Sequence, residues 1–284
     1  MGEISEVSEK YVKSILKPRN PDSRKGENGS VAVIGGGRLY HGAPFLTASS
    51  ALRCGVDLLY LCVPQTITTA VRALSPNIIV IPRPDVKLTP GSVNKLLRWL
   101  PKVDSIVLGP GLGIQRTDGS CKLVQELSSN RVKVVLDADA LRTDIVNKIQ
   151  GKNAVITPHI GEFKRLFEID LNISLDERID AVKKMAAKND ITILLKSRVD
   201  IISDGTKVIL NKTGSPAMTA GGTGDILSGI VAGLLAKGLD AFEAATLGAF
   251  FNGLAGEKVA ETKGFHLLAS DVIDEIPSTM MKFE

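Results

Sequence analysis

Seven short apolar runs recur along the chain at intervals that suit strand–helix units: VAVIG (31–35), DLLYLCV (57–63), NIIVIP (77–82), SIVLG (105–109), KVVLD (133–137), NAVIT (153–157) and ITILLK (191–196). Most are continuously apolar instead of alternating with polar residues, which marks strands covered on both faces. Between several of them lie helix-like segments: Ala43 to Cys54, Leu175 to Lys188, and Pro90 to Leu100, with Thr89 as N-cap and Pro90 at the first helical position. The alternation predicts an α/β fold with a mostly parallel central sheet and helices on both faces.

Two stretches depart from simple alternation. RVDIISDGTKVIL (198–210) carries two strand-like pieces around Asp204-Gly205, a hairpin signal, and adds antiparallel strands near one edge of the sheet. From Thr223 to Glu261 the pattern reads as two long helices split at 237–240, with Gly238 just past the first and Asp240 as N-cap of the second. No repeat or low-complexity tract interrupts the chain, and KPRNPDSRKGENG (17–29) reads as a surface lead-in to the first strand. The expectation is one domain over residues 1–284, with 1–29 as its N-terminal lead-in.

Composition narrows the class. A chain of 284 residues, 44% hydrophobic, can bury a full core. Its 35 basic and 31 acidic residues are interspersed, net charge is +4 and aromatics make up 4%, which favours a small anionic ligand over a nucleic-acid surface. Cys54, Cys62 and Cys121 form no CxxC pair and have no histidine at metal-ligand spacing, so they read as buried small hydrophobes in a reducing compartment. The N-terminus is acidic and polar, unlike a secretion signal, and the most apolar stretch, Ile226 to Ala236, is too short to span a bilayer. A cytoplasmic protein with no membrane partner is expected.

Three glycine-rich stretches carry the candidate chemistry. VIGGGRLYHGA (33–43) follows a strand but fails the dinucleotide fingerprint, because position 40 is Tyr and Asp57 precedes its strand instead of ending it. LGPGLG (108–113) makes a rigid turn with exposed amides, which ordinary turn chemistry also explains. TAGGTGDILSGI (219–230) lacks the lysine of a P-loop, yet Gly221-Gly222-Thr223-Gly224 opens a helix whose free N–H groups and dipole favour an anion. Asp225 in that turn has a structural reading as an N-cap, although Thr223 alone suffices to cap, and a chemical one as a base beside a phosphate nest. Echoes of S-x-x-K, S-D-N and K-T-G at 14–17, 203–205 and 212–214 fail on context: Pro18 follows the first, and the other two share one hairpin.

With these residues in view, NKTGSPAMTAGGTGDILSGIVAGLLAKG (211–238) closely resembles the C-terminal motif of the ADP- or ATP-dependent NAD(P)H-hydrate dehydratases, members of the ribokinase-like superfamily. Residues 26–44, LGPGLG (108–113), VLDADALR (135–142) and TPHIGEFKRLF (157–167) support the resemblance, which runs from about residue 26 to 256. It implies a ribokinase-like three-layer α/β/α fold and a substrate that is NADH or NADPH hydrated on its nicotinamide ring. By resemblance Asp225 is the catalytic base and also touches substrate. Gly222, Thr223 and Gly224 cradle phosphate, and Ala43, Gly111, Gly113 and His159 line the hydrated nucleotide. Lys196, Ser197, Arg198, Val199 and Asp200 meet the adenine nucleotide, and Glu162 reaches Mg2+ through water. For Glu162 a first-turn helix acid, and for His159 a local turn cap, are the competing readings.

The family commonly has K-G-x-x-T where this chain has Lys196-Ser197-Arg198-Val199-Asp200, losing a glycine and a hydroxyl and gaining Arg198 as a replacement charge; Ser215 stands where Asn is common. The resemblance also implies ADP in preference to ATP as co-substrate, a homo-oligomer of tetramer type, and a separate epimerase acting on the same metabolite. A vitamin-precursor kinase of the hydroxyethylthiazole or hydroxymethylpyrimidine type is the runner-up, and a non-catalytic nucleotide sensor the reading from another class.

Overall fold

The computed structural model describes residues 4–84, 87–113, 116–151, 153–172 and 174–284. The apolar runs form strands β1 (Ile4–Glu6), β2 (Ser30–Ile34), β3 (Leu58–Pro64), β4 (Ile79–Arg83), β5 (Ser105–Leu108), β6 (Lys133–Leu136), β7 (Ala154–Ile156), β8 (Thr192–Leu195), β9 (Asp200–Ser203) and β10 (Val208–Asn211). They share one sheet in the order β1-β10-β9-β8-β7-β6-β5-β2-β3-β4. Only β9 runs antiparallel to its neighbours among the described residues, and it does so through the Asp204-Gly205 hairpin expected from sequence. Asp204 Oδ1 accepts the N–H groups of Thr206 at 2.8 Å and Lys207 at 2.7 Å, while Gly205 takes a φ of +93°.

The helices are α1 (Glu9–Ile15), α2 (Gly42–Arg53), α3 (Gln65–Arg72), α4 (Pro90–Trp99), α5 (Asp118–Ser129), α6 (Thr143–Val146), α7 (Ile160–Phe167), α8 (Leu175–Asn189), α9 (Thr223–Ala236), α10 (Ala241–Lys263) and α11 (Ala269–Met280). Alternation along each buried strand divides the core. Val31, Val33, Val107, Val135, Val155 and Leu194 face the layer that contains α2, α9, α10 and α11. Their neighbours Ala32, Ile34, Ile106, Val134 and Ile193 face α4, α5, α7 and α8. Caps begin the helices as read from sequence: Thr89 Oγ1 accepts Ser92 N–H at 3.2 Å, and Asp240 Oδ1 accepts Glu243 N–H at 2.8 Å. Each such cap is worth about 1 kcal/mol. Gly238, at φ +107°, ends α9 as expected.

Helix α9 lies unusually close to its neighbours. A Cβ on Gly229 would stand 2.1 Å from Thr47 O in α2, and one on Gly233 would stand 2.9 Å from Cys54 Cβ. On α10, a Cβ at Gly248 would stand 2.5 Å from a Val231 methyl of α9. Ahead of the largely exposed segment 17–27, β1 pairs with β10 and α1 buries Val12, two elements the sequence pattern did not predict. Two expectations need adjustment, on the cysteines and on Thr223. Cys54 and Cys62 are buried, with burial pushing both thiols up to about 12, whereas Cys121 on amphipathic α5 is partly exposed. Thr223 does not cap α9: the cap position falls to Gly222, and the Thr223 hydroxyl donates to Met218 O at 2.7 Å. No described helix is long and apolar enough to cross a membrane.

The sheet order places the crevice. From β2 the chain progresses outward through β3 and β4, then returns so that β5 pairs with the other side of β2 and β6, β7 and β8 follow. Ligands of open α/β sheets bind outside the strand carboxyl ends at such a reversal. The three glycine-rich candidates and the TPH turn all lie at that end, following β2, β5 and β7 or opening α9.

Candidate active site

Two loops leave the sheet side by side at the reversal and touch backbone to backbone. Gly36 N–H donates to Pro110 O at 2.9 Å, and a Cβ on Gly35 would lie 2.2 Å from that oxygen. Arg83, fully buried at the end of β4, donates from Nη2 to Gly35 O at 3.1 Å and Gly36 O at 3.0 Å. Gly109 adopts φ +132° with its absent Cβ directed at Asp137 O. Gly111 faces Tyr40 and Ala43, whose Cβ stands 3.4 Å from a Cβ built on it, so Ala43 and Gly111 border one space. Gly113 N–H donates to Asp139 Oδ2 at 2.8 Å.

Next to these loops, the ends of β6, β7 and β8 supply a cluster of charge. Asp137, 1% exposed, accepts Thr157 Oγ1 at 2.8 Å and Lys196 Nζ at 2.9 Å on the same oxygen, Oδ1. Lys196 Nζ also lies 3.7 Å from Glu162 Oε2. Burial alone would lower the Lys196 ammonium, but Asp137, Glu162 and Asp225 outweigh it and hold it above its usual value. His159 caps α7 in the local manner anticipated: Nδ1 accepts Gly161 N–H at 3.0 Å and Glu162 N–H at 3.2 Å, and Glu162 Oε2 accepts His159 N–H at 2.9 Å. With Nδ1 accepting, a neutral ring carries its proton on Nε2, on a side chain 59% exposed at the rim. The capping role of these two residues therefore coexists with their place beside Lys196.

Helix α9 meets this cluster with its N-terminus. Gly222, at φ +100°, occupies the cap position, and a Cβ on Gly224 would lie 3.6 Å from Lys196 Nζ. Asp225, third in the helix, receives no hydrogen bond among the described residues, so nothing in the fold uses it as a cap. Burial first, and then the neighbouring Asp137 carboxylate, push Asp225 up to about 7; Lys196 pulls the other way, and Asp139 and Glu162 add to the rise. A carboxyl group half-protonated near neutral pH, beside the start of a helix whose dipole favours an anion and beside a fixed ammonium, can exchange a proton with a hydroxyl while an anion is held next to it.

The segment after Lys196 closes on itself. Ser197 N–H donates to Asp200 Oδ1 at 3.0 Å, the Ser197 hydroxyl donates to Val199 O, and Asn211 Nδ2 donates to Asp200 Oδ2 at 3.0 Å. Burial raises Asp200 to about 6 against those bonds and the Lys196 charge. The lost Gly and Thr are thus replaced by a turn tied through Asp200, with Arg198 exposed above it.

The sequence profile of the family described as NAD(P)H-hydrate dehydratase matches residues 31–278. The chain belongs to the NAD(P)H-hydrate dehydratase family. It is 46% identical to an ADP-dependent (S)-NAD(P)H-hydrate dehydratase of Cenarchaeum symbiosum (strain A), covering 98% of this chain and 97% of the relative. It is 48% identical to a protein of the same name from Nitrosopumilus maritimus (strain SCM1), covering 96% of each. Among solved structures, the ADP/ATP-dependent NAD(P)H-hydrate dehydratase from Bacillus subtilis, co-crystallized with ATP/Mg2+, superposes with a TM-score of 0.86 at 25% identity over 99% of both chains. The ribokinase-like fold expected from the resemblance is the fold observed.

Within this hydrate dehydratase the structure brings Ala43 next to Gly111 and ties Gly113 to Asp139. Glu162, Lys196, Gly224 and Asp225 form one charged cluster, with His159 capping α7 at its edge. Asp137, Thr157, Asp139 and Arg83 were not singled out from sequence. The signal available for Asp137 was positional, a polar residue directly at the carboxyl end of a buried parallel strand.

Proposed function

We propose that this chain regenerates NADH or NADPH from its hydrated form, with ADP as phosphoryl donor. The observation that carries the reading is an Asp225 carboxylate with no hydrogen-bond donor among the described residues, raised to about 7 at the N-terminus of α9, within the cluster that holds Lys196. Asp225 takes the proton of the ring hydroxyl, whose oxygen attacks the terminal phosphorus of ADP, and AMP leaves. The ring nitrogen lone pair then expels the phosphorylated oxygen as phosphate, and loss of a ring proton restores the double bond. Hydroxide leaves poorly and phosphate leaves well, which is the purpose of spending a nucleotide. Positioning and charge stabilisation dominate phosphoryl transfer, and a base adds about 10²–10⁴-fold, roughly 3–5 kcal/mol of barrier.

In this reading the N–H groups of Gly222 and Gly224 and the Lys196 ammonium hold the phosphoryl group, and Thr223, whose N–H meets Ala220 O at 3.5 Å, shapes the turn between them. The tied turn Ser197 to Asp200, with Arg198 above it, meets the adenine nucleotide. Ala43, Gly111, Gly113 and His159 line the hydrated nucleotide, and residues 4–284 act as one catalytic domain built on one sheet. For Mg2+, no group of three or more metal-ligating side chains stands together among the described residues. Glu162, a buried carboxylate 3.7 Å from Lys196 Nζ, would reach through water an ion that keeps its hydration shell and takes its other ligands from phosphates. Bound there, Mg2+ neutralises charge on the transferring phosphoryl oxygens. The relatives named above as ADP-dependent support ADP as the donor.

The test is incubation with hydrated NADH, Mg2+ and either ADP or ATP, following recovery of the absorbance of intact NADH. Recovery with ADP is expected, with one AMP and one phosphate released per NADH. No recovery with either nucleotide overturns the reading, and a stable phosphorylated product without NADH makes the protein a kinase.

A further inference from the structure

Lys196 stands at the first turn of α9 yet is bonded elsewhere. Its Nζ lies 3.6 Å from where a Gly224 Cβ would be, one residue from Asp225, but its hydrogen bond goes to Asp137 Oδ1 at 2.9 Å. No described contact joins it to the Asp225 carboxylate. Asp137 is held for this task at both ends. Its backbone N–H donates to Leu108 O at 3.1 Å, its carbonyl fills the space that a side chain on Gly109 would need, and Thr157 Oγ1 locks the carboxylate rotamer at 2.8 Å. A carboxylate 1% exposed, with two donors on one oxygen, is an expensive packing element directly after the buried Val134, Val135 and Leu136 of β6.

We propose that Asp137 is a positioning residue of the dehydratase reaction: with Thr157 it anchors the Lys196 ammonium beside the first turn of α9 and keeps it from pairing directly with Asp225. The proposal rests on the reading of Asp225 as the base. A lysine paired with Asp225, added to the helix dipole, would make that carboxyl a strong acid and a poor acceptor for a hydroxyl proton. Anchored to Asp137, the ammonium is offset by a second negative charge while it remains in place for the phosphoryl group. The charged groups facing Asp225 are Asp137 and Asp139 from the end of β6, Glu162 from α7 and Lys196 from the end of β8. Their signs give the two partners of the anchored pair opposite effects on Asp225.

The experiment titrates the ligand-free protein labelled with 13C at aspartate carboxyls, the Asp225 resonance being the one missing in Asp225→Asn. Wild type is expected to titrate at about 7. Asp137→Asn should move the Asp225 midpoint down by about one pH unit or more, and Lys196→Gln should move it up by a similar amount. The acidic limb of the kcat profile should shift in the same two directions. A purely structural role for Asp137 lowers activity at every pH and leaves the midpoint in place, and that result in a folded Asp137→Asn protein overturns the proposal. If Asp137→Asn does not fold, Lys196→Gln decides alone, and a downward or absent shift overturns it. Opposite shifts without any recovery of NADH would retain the anchor and remove the proposed function; recovery without the shifts would do the reverse.

Discussion

Asp57 and Asp225 are two shielded carboxylates at opposite rims of the same sheet, and the fold treats them in opposite ways. Asp57 precedes β3, at the amino ends of the parallel strands, with a side chain 7% exposed. Burial would raise its affinity for a proton, but it accepts Asn28 Nδ2 at 3.0 Å, Asn28 N–H at 3.1 Å, Gly26 N–H at 2.7 Å and Arg19 Nη2 at 2.7 Å, and these take it down to about 2. Asp225, at the carboxyl rim, receives no such bonds from the described residues, and burial with neighbouring carboxylates carries it up to about 7. The number of donors, more than depth, separates a clasp that fastens the N-terminal segment from a group able to carry a proton near neutral pH.

The comparison breaks most directly at Asp225. Asp225→Asn should lower kcat by at least about 10²-fold with KM little changed, as expected for a group that acts in the transition state. Steady-state kinetics at saturating ADP would check this, and near-normal turnover would return Asp225 to the role of a helix-end residue. Next in size, the rim that presents Asp225 should be as rigid as the opposite one. Gly109→Ala, with φ +132° and a Cβ 1.7 Å from Asp137 O, should cost about 3 kcal/mol or more in denaturant unfolding. Gly113→Ala, at φ +78° with nothing within 4 Å among the described residues, should cost only about 1–2 kcal/mol. Equal losses would mean that backbone conformation alone, without close contact, stiffens this loop.

Two smaller effects follow from proton linkage. At Asp57 the folded value, about 2, lies below an unfolded value of about 4, so its stabilisation is present above about pH 4 and disappears as pH falls toward 2. Asp57→Asn should therefore lower stability by about 2 kcal/mol at pH 7, with the deficit shrinking in acid. At Asp225 the signs reverse. A folded value of about 7 above an unfolded value of about 4 means that stability is lost as pH rises through that window. Asp225→Asn should make the ligand-free protein more stable by roughly 1–2 kcal/mol at pH 8 and by less at pH 5, read as Tm against pH. A variant that is less stable at both pH values would show that Asp225 is held by contacts after all.

Much of this was legible along the chain because it is local. The buried strands, the 204–205 hairpin, the break at Gly238 and the caps at Thr89 and Asp240 depend on residues a few positions apart. Asp225 stood out for the same reason, since a glycine nest and an acid share one turn. Thr223 misled because Ser and Thr before an apolar helix usually cap it; here its hydroxyl is taken by Met218 O, five residues back, in a turn that sequence periodicity does not describe. The Asp137–Thr157–Lys196 arrangement joins residues 20 and 59 positions apart, and only the parallel order of β6, β7 and β8 brings them together. Lys196 was read only as part of the nucleotide segment, and its place in the charge cluster follows from the same strand order.

The contact of α9 with α2 at Gly229 and Gly233 has a consequence for how this scaffold can diversify. Because the helix backbone rests against Thr47 O and Cys54, it has no room to tilt or slide, and its first turn is delivered to one place. New substrates must then be accommodated where the chain has slack. Tyr40 is exposed beside Gly111, and His41 next to it in the chain is exposed as well, so variation at these two positions should change what is admitted without disturbing the chemistry. Directed libraries built on residues 38–41 should keep folding and turnover while altering acceptance, whereas libraries built on residues 229–233 should lose both together.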